Sequence, residues 1–359
     1  MTRRRSLLLI AAVLSVSLTG FAPNAVRALA PALPDRLSDR EYWNLITEFS
    51  EPSGEFRSDN LLSNEIFLQY VIQDLARPPR VNRVYLGVGP EQNFTYISSL
   101  RPKMAFIVDI RRGNLQLHLM YKALFEMSSD RADFVFRLFS RKRPDGLGSK
   151  SSANDIFDAL DKAEPSEALY KLNQKAIQDH LVLKRKIPLT SDDLKGIEYV
   201  HGTFSWHGPG LSYWSSGGRG NGRNNAPTYW DLMVADDGKG QMRSYLANDE
   251  NFQVLKELHE KNLLLPIVGN FAGAKALRAV GRYVREKDAM VGAFYLSNVE
   301  QYLSRDGSWY SFCANVATLP FDASSKFIRS VRNSTYGPGV GLDSVLGDIA
   351  EEVKACSTR

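Results

Sequence analysis

The stretch VYLGVGPEQNFTYISSLRPKMAFIVDI, from Val84 to Ile110, decides the fold of this chain. It reads as a buried strand, a glycine turn, a helix and a second buried strand that ends in an acid. Gly87 and Gly89 stand between the first strand and the helix, where glycine permits unusual backbone angles and the close approach of a ligand. Asp109 follows Gly89 by twenty residues, and a carboxylate there can accept hydrogen bonds from both hydroxyls of a ribose. The pattern predicts a nucleotide-type cofactor site with Gly87, Gly89 and Asp109 as its binding residues.

The same turn departs from the usual dinucleotide pattern. The third glycine position holds Asn93, or Phe94 in an alternative alignment. Pro90 and Glu91 add a rigid kink and a negative charge, and a negative charge would serve a pyrophosphate poorly. The turn therefore favours a cofactor without phosphates, such as S-adenosylmethionine. The alternative is a strand–helix–strand unit whose glycines serve only the tight turn, because a lone Gly-x-Gly is a weak motif.

This layout resembles the class I methyltransferases, whose first motif is a strand followed by a Gly-x-Gly turn. The resemblance implies that Asp109 would hold the adenosine ribose and that Gly87 and Gly89 would approach the cofactor. Over its whole length after residue 30, the chain is also similar to an uncharacterised exported bacterial family with a methyltransferase-like Rossmann fold. The blocks that carry this second likeness are SEPSGEFRSDNLLSNE, YLGVGPEQNFTYI, VDIRRGNLQLHLMYKALFE, VGNFAGAKALRAVGRYVREK and FYLSNVEQYL.

Strands alternate with helices along the rest of the chain. This order predicts an α/β fold with a doubly wound, mostly parallel sheet in a single domain, residues 31–359. We expect an N-terminal helical segment (31–80), one long helix over 115–139, a helical insertion (140–198) and a C-terminal tail helix (340–359). The later candidate strands are IEYVHGTF (197–204), YWDLMVA (229–235), LLLPIVGNF (263–271), AMVGAFYLS (289–297) and WYSFCANVATLP (309–320).

The first thirty residues have the layout of an export signal. Three arginines, an apolar run and Ala28-Leu29-Ala30 predict cleavage near Ala30 and a periplasmic or extracellular protein. The chain has 45 Lys+Arg and 40 Asp+Glu; the first thirty residues hold four arginines and no acids, which leaves 41 against 40. This near balance argues against nucleic-acid binding. No later segment is long and apolar enough to predict a membrane span.

The two cysteines leave two alternatives open. Cys313 and Cys356 are too few for a disulfide framework, and they are either free or joined in one bridge that ties down the C-terminal tail. No Cys/His cluster has zinc spacing, so we predict no metal site.

Several further residues are candidates for substrate binding and catalysis. Asp59 and Asn60, in FRSDNLLSNE before a predicted helix, belong either to a helix cap or to a segment that folds over the cofactor mouth. Asn270 and Asn298 follow predicted strands, and with Asp109 they would meet at one edge of the sheet. His201, in a glycine- and aromatic-rich stretch that favours a lid, is the candidate general base.

Two functions fit these features. The first is an exported methyltransferase-like protein of unknown substrate, which binds S-adenosylmethionine or a similar small molecule at the carboxyl ends of the strands. The second is a non-catalytic binding or scaffold protein on the same fold, since a fold does not by itself determine a function.

Overall fold

A six-stranded sheet runs through the computed structural model, which describes residues 32–75, 82–215, 226–332 and 342–356. The strand order is β3-β2-β1-β4-β5-β6; β6 is antiparallel to β5, and the other neighbours are parallel. This is the order of the doubly wound α/β class, here with a reversed edge strand. The strands are β1 (Arg83–Gly87), β2 (Met104–Asp109), β3 (Leu264–Val268), β4 (Met290–Ser297), β5 (Lys326–Arg332) and β6 (Leu342–Asp348).

Helices cover the sheet. Every residue of β2 and β3 is buried, which requires helices on both faces. The helices α3, α4 and α10 pack on one another, and α1 and α13 pack on α11. The α-helices are α1 (Asp39–Phe49), α2 (Ile72–Leu75), α3 (Gln92–Leu100), α4 (Arg112–Met127), α5 (Arg131–Leu138), α6 (Ala153–Asp161), α7 (Glu167–Asp179), α8 (Ser191–His207), α9 (Tyr229–Val234), α10 (Asp249–Glu260), α11 (Ala276–Glu286), α12 (Val299–Arg305), α13 (Trp309–Val316) and α14 (Ile349–Cys356).

The unit predicted from the opening stretch is confirmed. β1 leads through the glycine turn into α3 and then into β2, which lies parallel to β1 with Gly87 beside Ile107. The junction between β1 and β4 is the point where the order of the strands reverses. In open α/β sheets, ligands bind in the crevice outside the carboxyl ends of the strands at such a point.

Three predicted strands are helices, so these predictions are wrong. Residues 197–204 belong to α8, 229–235 lie on α9, and 309–320 begin with α13. In α8 the buried residues include Ile197, Val200, His201 and Phe204, a spacing of three, one and three that matches one face of a helix.

Capping explains why two of these segments start as helices. Thr190 and Asp193 form a capping box at the start of α8, and Thr228 and Asp231 form another at α9. In each box the two side chains satisfy backbone N–H groups that the first turn leaves without partners. Asp231 therefore caps a helix and does not lie within a strand.

The predicted tail helix is a strand followed by a helix. β6 occupies the first part of residues 340–359 and pairs with β5, and α14 follows it. The predicted long helix over 115–139 is also two helices, because Asp130 caps α5 and accepts a hydrogen bond from the N–H of Asp133. Cys313 and Cys356 form a disulfide that joins α13 to α14, which resolves the alternatives left open by the sequence.

Helices dominate the segment between α5 and the start of α8. Residues 140–198 hold α6, α7, a π-helical turn (His180–Lys184) and the start of α8. Residues 31–359 form one compact unit. Within the ranges given above, the structure contains no helix with both the length and the apolar character needed to cross a membrane. The predicted export signal and residues 216–225 of the predicted lid lie outside those ranges.

Candidate functional site at the carboxyl ends of the strands

Residues 50–65, here called the rim segment, cross the carboxyl ends of four strands in the order of the sheet. At β3, the N–H of Glu51 donates to the carbonyl of Val268 at 2.8 Å. Just after β2, the N–H of Gly54 donates to the carbonyl of Ile110, also at 2.8 Å. The rim segment is therefore fixed by backbone hydrogen bonds to the first two strands that it meets.

The rim segment continues over β1 and β4 through its acidic and hydroxyl residues. The N–H of Ser63 donates to Glu91 Oε1 at 3.2 Å, at the start of the helix that follows β1. Glu65 Oε1 accepts hydrogen bonds from Tyr295 at 2.7 Å and from Ser297 at 2.6 Å, both on β4. The segment predicted to fold over the strand ends does lie there, and it brings Glu65 to the point where the strand order reverses.

This role explains why the helix predicted after FRSDNLLSNE is so short. Its only α-helical part is α2, four residues long. Ser63 Oγ accepts from the N–H of Glu65 at 3.1 Å, a local turn contact, and the Glu65 carboxyl points to β4 instead of capping a helix.

Asp109 ends β2 as predicted, and its carboxylate is held by Arg111. The guanidinium donates from Nε to Asp109 Oδ1 and from Nη2 to Oδ2, each at 3.1 Å, and Nη1 donates to the carbonyl of Asp59. Tyr199 donates its hydroxyl to Asp59 Oδ2 at 2.5 Å. The side chains of Asp109 and Arg111 are 5% and 11% exposed, so a ribose reaches Asp109 only if Arg111 moves.

The glycine turn is closed by the residue that replaces the third glycine. Asn93 donates from Nδ2 to the carbonyls of Val88 at 2.9 Å and Pro90 at 2.8 Å, and its Oδ1 accepts from Tyr85 at 2.9 Å. A Cβ added at Gly87 would overlap the Asn93 side chain. Glycine is thus required at position 87 by the packing of the turn itself.

Gly89 is the second glycine of the turn and has a φ of +80°, which side chains disfavour. The side chain of Asn60 lies next to it, with Nδ2 3.5 Å from the position of an added Cβ. The carbonyl of Gly89 contacts His118 Nε2 at 3.0 Å. The turn therefore brings together Asn60 from the rim segment and a histidine from α4.

The buried polar groups around this turn have hydrogen-bond acceptors without partners. Five such atoms belong to residues at most 3% exposed, and within the described residues none of them has a donor in regular hydrogen-bond geometry. The atoms are Glu65 Oε2, Glu91 Oε2, Gln92 Oε1, Asn114 Oδ1 and His118 Nδ1. The Ser330 hydroxyl nevertheless lies close enough to Glu65 to lower the pKa of its carboxyl. His118 Nδ1 is an acceptor because its Nε2 carries the proton donated to the Gly89 carbonyl. Buried polar groups in native proteins usually find partners, so such a concentration points to a ligand or bound water.

Burial controls the charges in this cluster. Burial raises the pKa of Glu91 to about 8, and the nearby charge of Glu65 adds to the effect. Burial also raises the pKa of Glu65 above its usual value, although bonds from Ser297 and Tyr295 oppose it. Burial lowers the pKa of His118 to about 4, so the imidazole is neutral at neutral pH. At neutral pH the carboxyl of Glu91 is therefore mostly protonated, and the cluster carries little fixed charge until a cation displaces that proton.

Asn270 and Asn298 follow β3 and β4 as predicted, but they serve different local structures. Asn270 Oδ1 accepts from the N–H of Ala272 at 2.9 Å, and its own N–H donates to Glu51 at 2.9 Å. Asn298 precedes α12, and its side chain makes no capping hydrogen bond there. Three strand spacings of roughly 4.8 Å separate β3 from β4, so Asn270 and Asn298 lie far apart along the carboxyl edge of the sheet.

His201 does not lie at a strand end. It lies inside α8, fully buried, with Nδ1 3.1 Å from Gln174 Oε1 and Nε2 3.3 Å from Ser140 Oγ. The ring of Tyr170 stacks on the imidazole of His201 with 5.2 Å between the ring centroids. Burial lowers the pKa of His201 to about 4. The prediction placed His201 on a strand because aromatic and β-branched residues surround it, whereas their spacing follows a helix.

The sequence interpretation did not single out Gln92, Arg111 and His118. Arg111 stands two residues after Asp109, and this acid-x-Arg spacing right after a strand is a signal for a local ion pair. His118 lies four residues after Asn114, which places both on one face of α4. Within the described ranges, no group of three or more His, Cys, Asp or Glu is arranged to hold a metal ion.

The sheet order and the rim geometry define this protein as a doubly wound α/β protein with a cluster of buried polar groups at its strand ends. Its sequence matches the family described as Domain of unknown function (DUF7790) over residues 61–187 and 220–344, which is more than half of the chain, and the chain belongs to that family. No curated protein matches it.

Proposed function

We propose that this chain binds a small molecule rich in hydrogen-bond donors or positive charge at the carboxyl ends of β1, β2 and β4. The observation that carries the proposal is the set of five buried acceptor atoms without partners around the glycine turn. An acceptor buried without a partner costs about 1–3 kcal/mol, and a donor ligand recovers that cost. An anionic ligand without donors would leave these acceptors unpaired and is disfavoured.

S-adenosylmethionine is the ligand that we put first. Its sulfonium, ammonium, adenine amino and ribose hydroxyl groups are cations or donors that outnumber its single carboxylate, and it carries no phosphate. The methyltransferase-like interpretation of the fold supports the same choice, since the glycine turn and Asp109 stand where that class holds its cofactor. Because the first thirty residues predict export, we propose that the chain binds S-adenosylmethionine outside the cytoplasm.

When bound, this cofactor supplies an electrophilic methyl group. The chain would contribute position and a proton acceptor, because methyl transfer needs little covalent help from the protein. Glu91, with a pKa of about 8, is the rim carboxyl suited to exchange a proton near neutral pH. It takes over the role that the sequence interpretation gave to His201.

The second candidate is a binding or scaffold protein without catalytic activity. The ion pair between Asp109 and Arg111 favours it, because it occupies the carboxylate that a ribose would need. Asn93 favours it as well, because its hydrogen bonds account for the glycine turn without a cofactor. Export adds to this, since S-adenosylmethionine is a cytoplasmic metabolite.

Calorimetric titration of residues 31–359 with S-adenosylmethionine and S-adenosylhomocysteine separates the candidates. We expect the sulfonium compound to bind more tightly, and Glu91→Gln to weaken it about tenfold, because glutamine cannot release a proton and become a carboxylate beside the bound cation. Glu351→Gln, at an exposed position with 71% of the side chain accessible, is the matched control and should bind like wild type.

Two further variants test the ribose contact. If a ribose displaces Arg111, Asp109→Ala abolishes binding and Arg111→Ala leaves it equal or stronger. No heat with a folded protein up to millimolar ligand would reject the cofactor and leave the scaffold candidate.

A further inference from the structure

A cavity lies away from the rim, between α12, α13, β5 and α14. Its volume is about 300 Å³, at the lower end of the range of small-molecule pockets. The walls are mostly apolar and include Trp309, Phe312, Phe327 and the Cys313–Cys356 disulfide. None of these residues belongs to the cluster of buried polar groups around the glycine turn.

The cavity has one polar end with an excess of negative charge. Arg329 lies between two carboxylates, with Nη2 3.0 Å from Glu300 Oε1 and Nη1 2.8 Å from Glu352 Oε1. The guanidinium also stacks 4.5 Å above the Phe327 ring. The two carboxylates and the one guanidinium sum to a net charge of −1 at this end. Both carboxylates already pair with Arg329, so a further anion would add a third negative charge beside a single positive one.

The backbone is shaped to admit this charged group. A Cβ added at Gly347, on β6, would overlap both Glu352 and Arg329. Because residue 347 is glycine, the side chains of Glu352 and Arg329 have room beside β6. The disulfide holds α14, which carries Glu352, against α13, which carries Trp309. The apolar wall and the acidic end are therefore fixed relative to each other.

We propose that this cavity binds a small organic ammonium ion with an apolar body. The body would occupy the aromatic wall, and the cation would lie near Glu300 and Glu352 with Trp309 as a cation–π partner. At roughly 30 Å³ per water-sized group, the volume suits a ligand of about ten non-hydrogen atoms. Anions of the same size are repelled by the two carboxylates.

Benzyltrimethylammonium is the probe, since it has about this size and a permanent positive charge. Calorimetric titration of residues 31–359 should show it binding at least tenfold more tightly than neutral phenylpropanol, with no binding of the anion hydrocinnamate. Raised salt should weaken the cation, because its partners are partly exposed. Equal binding of all three compounds, or no binding of the cation, would overturn the proposal and leave a packing void.

Neighbouring glutamates supply a matched pair of variants. Glu352→Gln removes a carboxylate of the cavity, whereas Glu351→Gln removes its exposed neighbour, which pairs with Lys354. We expect the first to weaken the probe about tenfold and the second to leave it unchanged. Trp309→Leu should weaken it about fivefold, as expected for a lost cation–π contact. The same loss in both glutamate variants would refute the site.

The two binding sites can be distinguished in one preparation. Glu91→Gln should leave the affinity for benzyltrimethylammonium unchanged, and Glu352→Gln should leave the affinity for S-adenosylmethionine unchanged. Circular dichroism and thermal unfolding confirm that each variant is folded. A probe that responds to Glu91→Gln binds at the rim and refutes the second site.

Discussion

Replacement of Glu91 by glutamine should remove a pH dependence from the stability of this protein. Glu91 is fully buried, and burial raises its pKa from 4.5 to about 8. The folded state therefore holds a proton that the unfolded chain releases above pH 4.5. Glutamine keeps the shape of the side chain and the acceptor for the Ser63 N–H, but it does not titrate.

The sign and size of the effect follow from proton linkage. Between pH 4.5 and 8 the folded state binds more protons than the unfolded state, so the free energy of unfolding falls as the pH rises. Each pKa unit is worth 1.36 kcal/mol, so ionisation of Glu91 costs about 4 kcal/mol by pH 8. About 1.5 kcal/mol of this loss occurs between pH 6.5 and 8.

The range between pH 6.5 and 8 separates the effect of Glu91 on stability from most of the effect of the histidines. Burial lowers the pKa of both His118 and His201 to about 4, and each makes the protein more stable as the pH rises toward 6.5. Above pH 6.5 their contribution levels off, and it is the same in wild type and in Glu91→Gln, so it cancels in the difference between the two proteins. Burial lowers the pKa of Lys122 to about 8, so it changes stability mainly at higher pH.

Urea unfolding at several pH values between 6.5 and 8 measures the difference. Wild type should lose about 1.5 kcal/mol more than Glu91→Gln over this window, and the variant should be the more stable protein at pH 8. Glu351→Gln, which changes an exposed carboxylate, should follow wild type. Parallel curves for wild type and Glu91→Gln would show that Glu91 ionises normally, and the reasoning on its burial would be wrong.

Three further changes test the packing of the fold. Cys313→Ser with Cys356→Ser opens a bridge across 43 residues and should lower the free energy of unfolding by about 4 kcal/mol in urea; no change would contradict the bridge. Glu126→Gln leaves a buried lysine and arginine without their carboxylate and should cost roughly 3–5 kcal/mol, whereas a loss below about 1 kcal/mol would contradict the buried network. Gly87→Ala should cost about 1–3 kcal/mol by urea unfolding, and less in an Asn93→Ala background, because the overlap is with the Asn93 side chain; equal costs in both backgrounds would refute that reason.

Local sequence was sufficient for the core of the fold. The stretch from Val84 to Ile110 predicts β1, α3 and β2, because short apolar runs, a glycine turn and an acid at a strand end are local signals. The strands β3 and β4 were found in the same way. Residues 197–204, 229–235 and 309–320 were assigned wrongly, since short runs of aromatic and β-branched residues fit a strand and a buried helix face alike.

The candidate site shows where local signals end. The sequence alone placed Gly87, Gly89 and Asp109 at strand ends, because backbone hydrogen bonding and burial periodicity depend on near neighbours. Only the tertiary structure brought Glu65 to Ser297, 232 residues away, and put His201 inside a helix instead of at the rim. Such meetings depend on how the elements pack, and no spacing along the chain encodes them. The cluster of buried polar groups at the strand ends is therefore a property of the folded sheet, whereas its glycine turn is a property of the sequence.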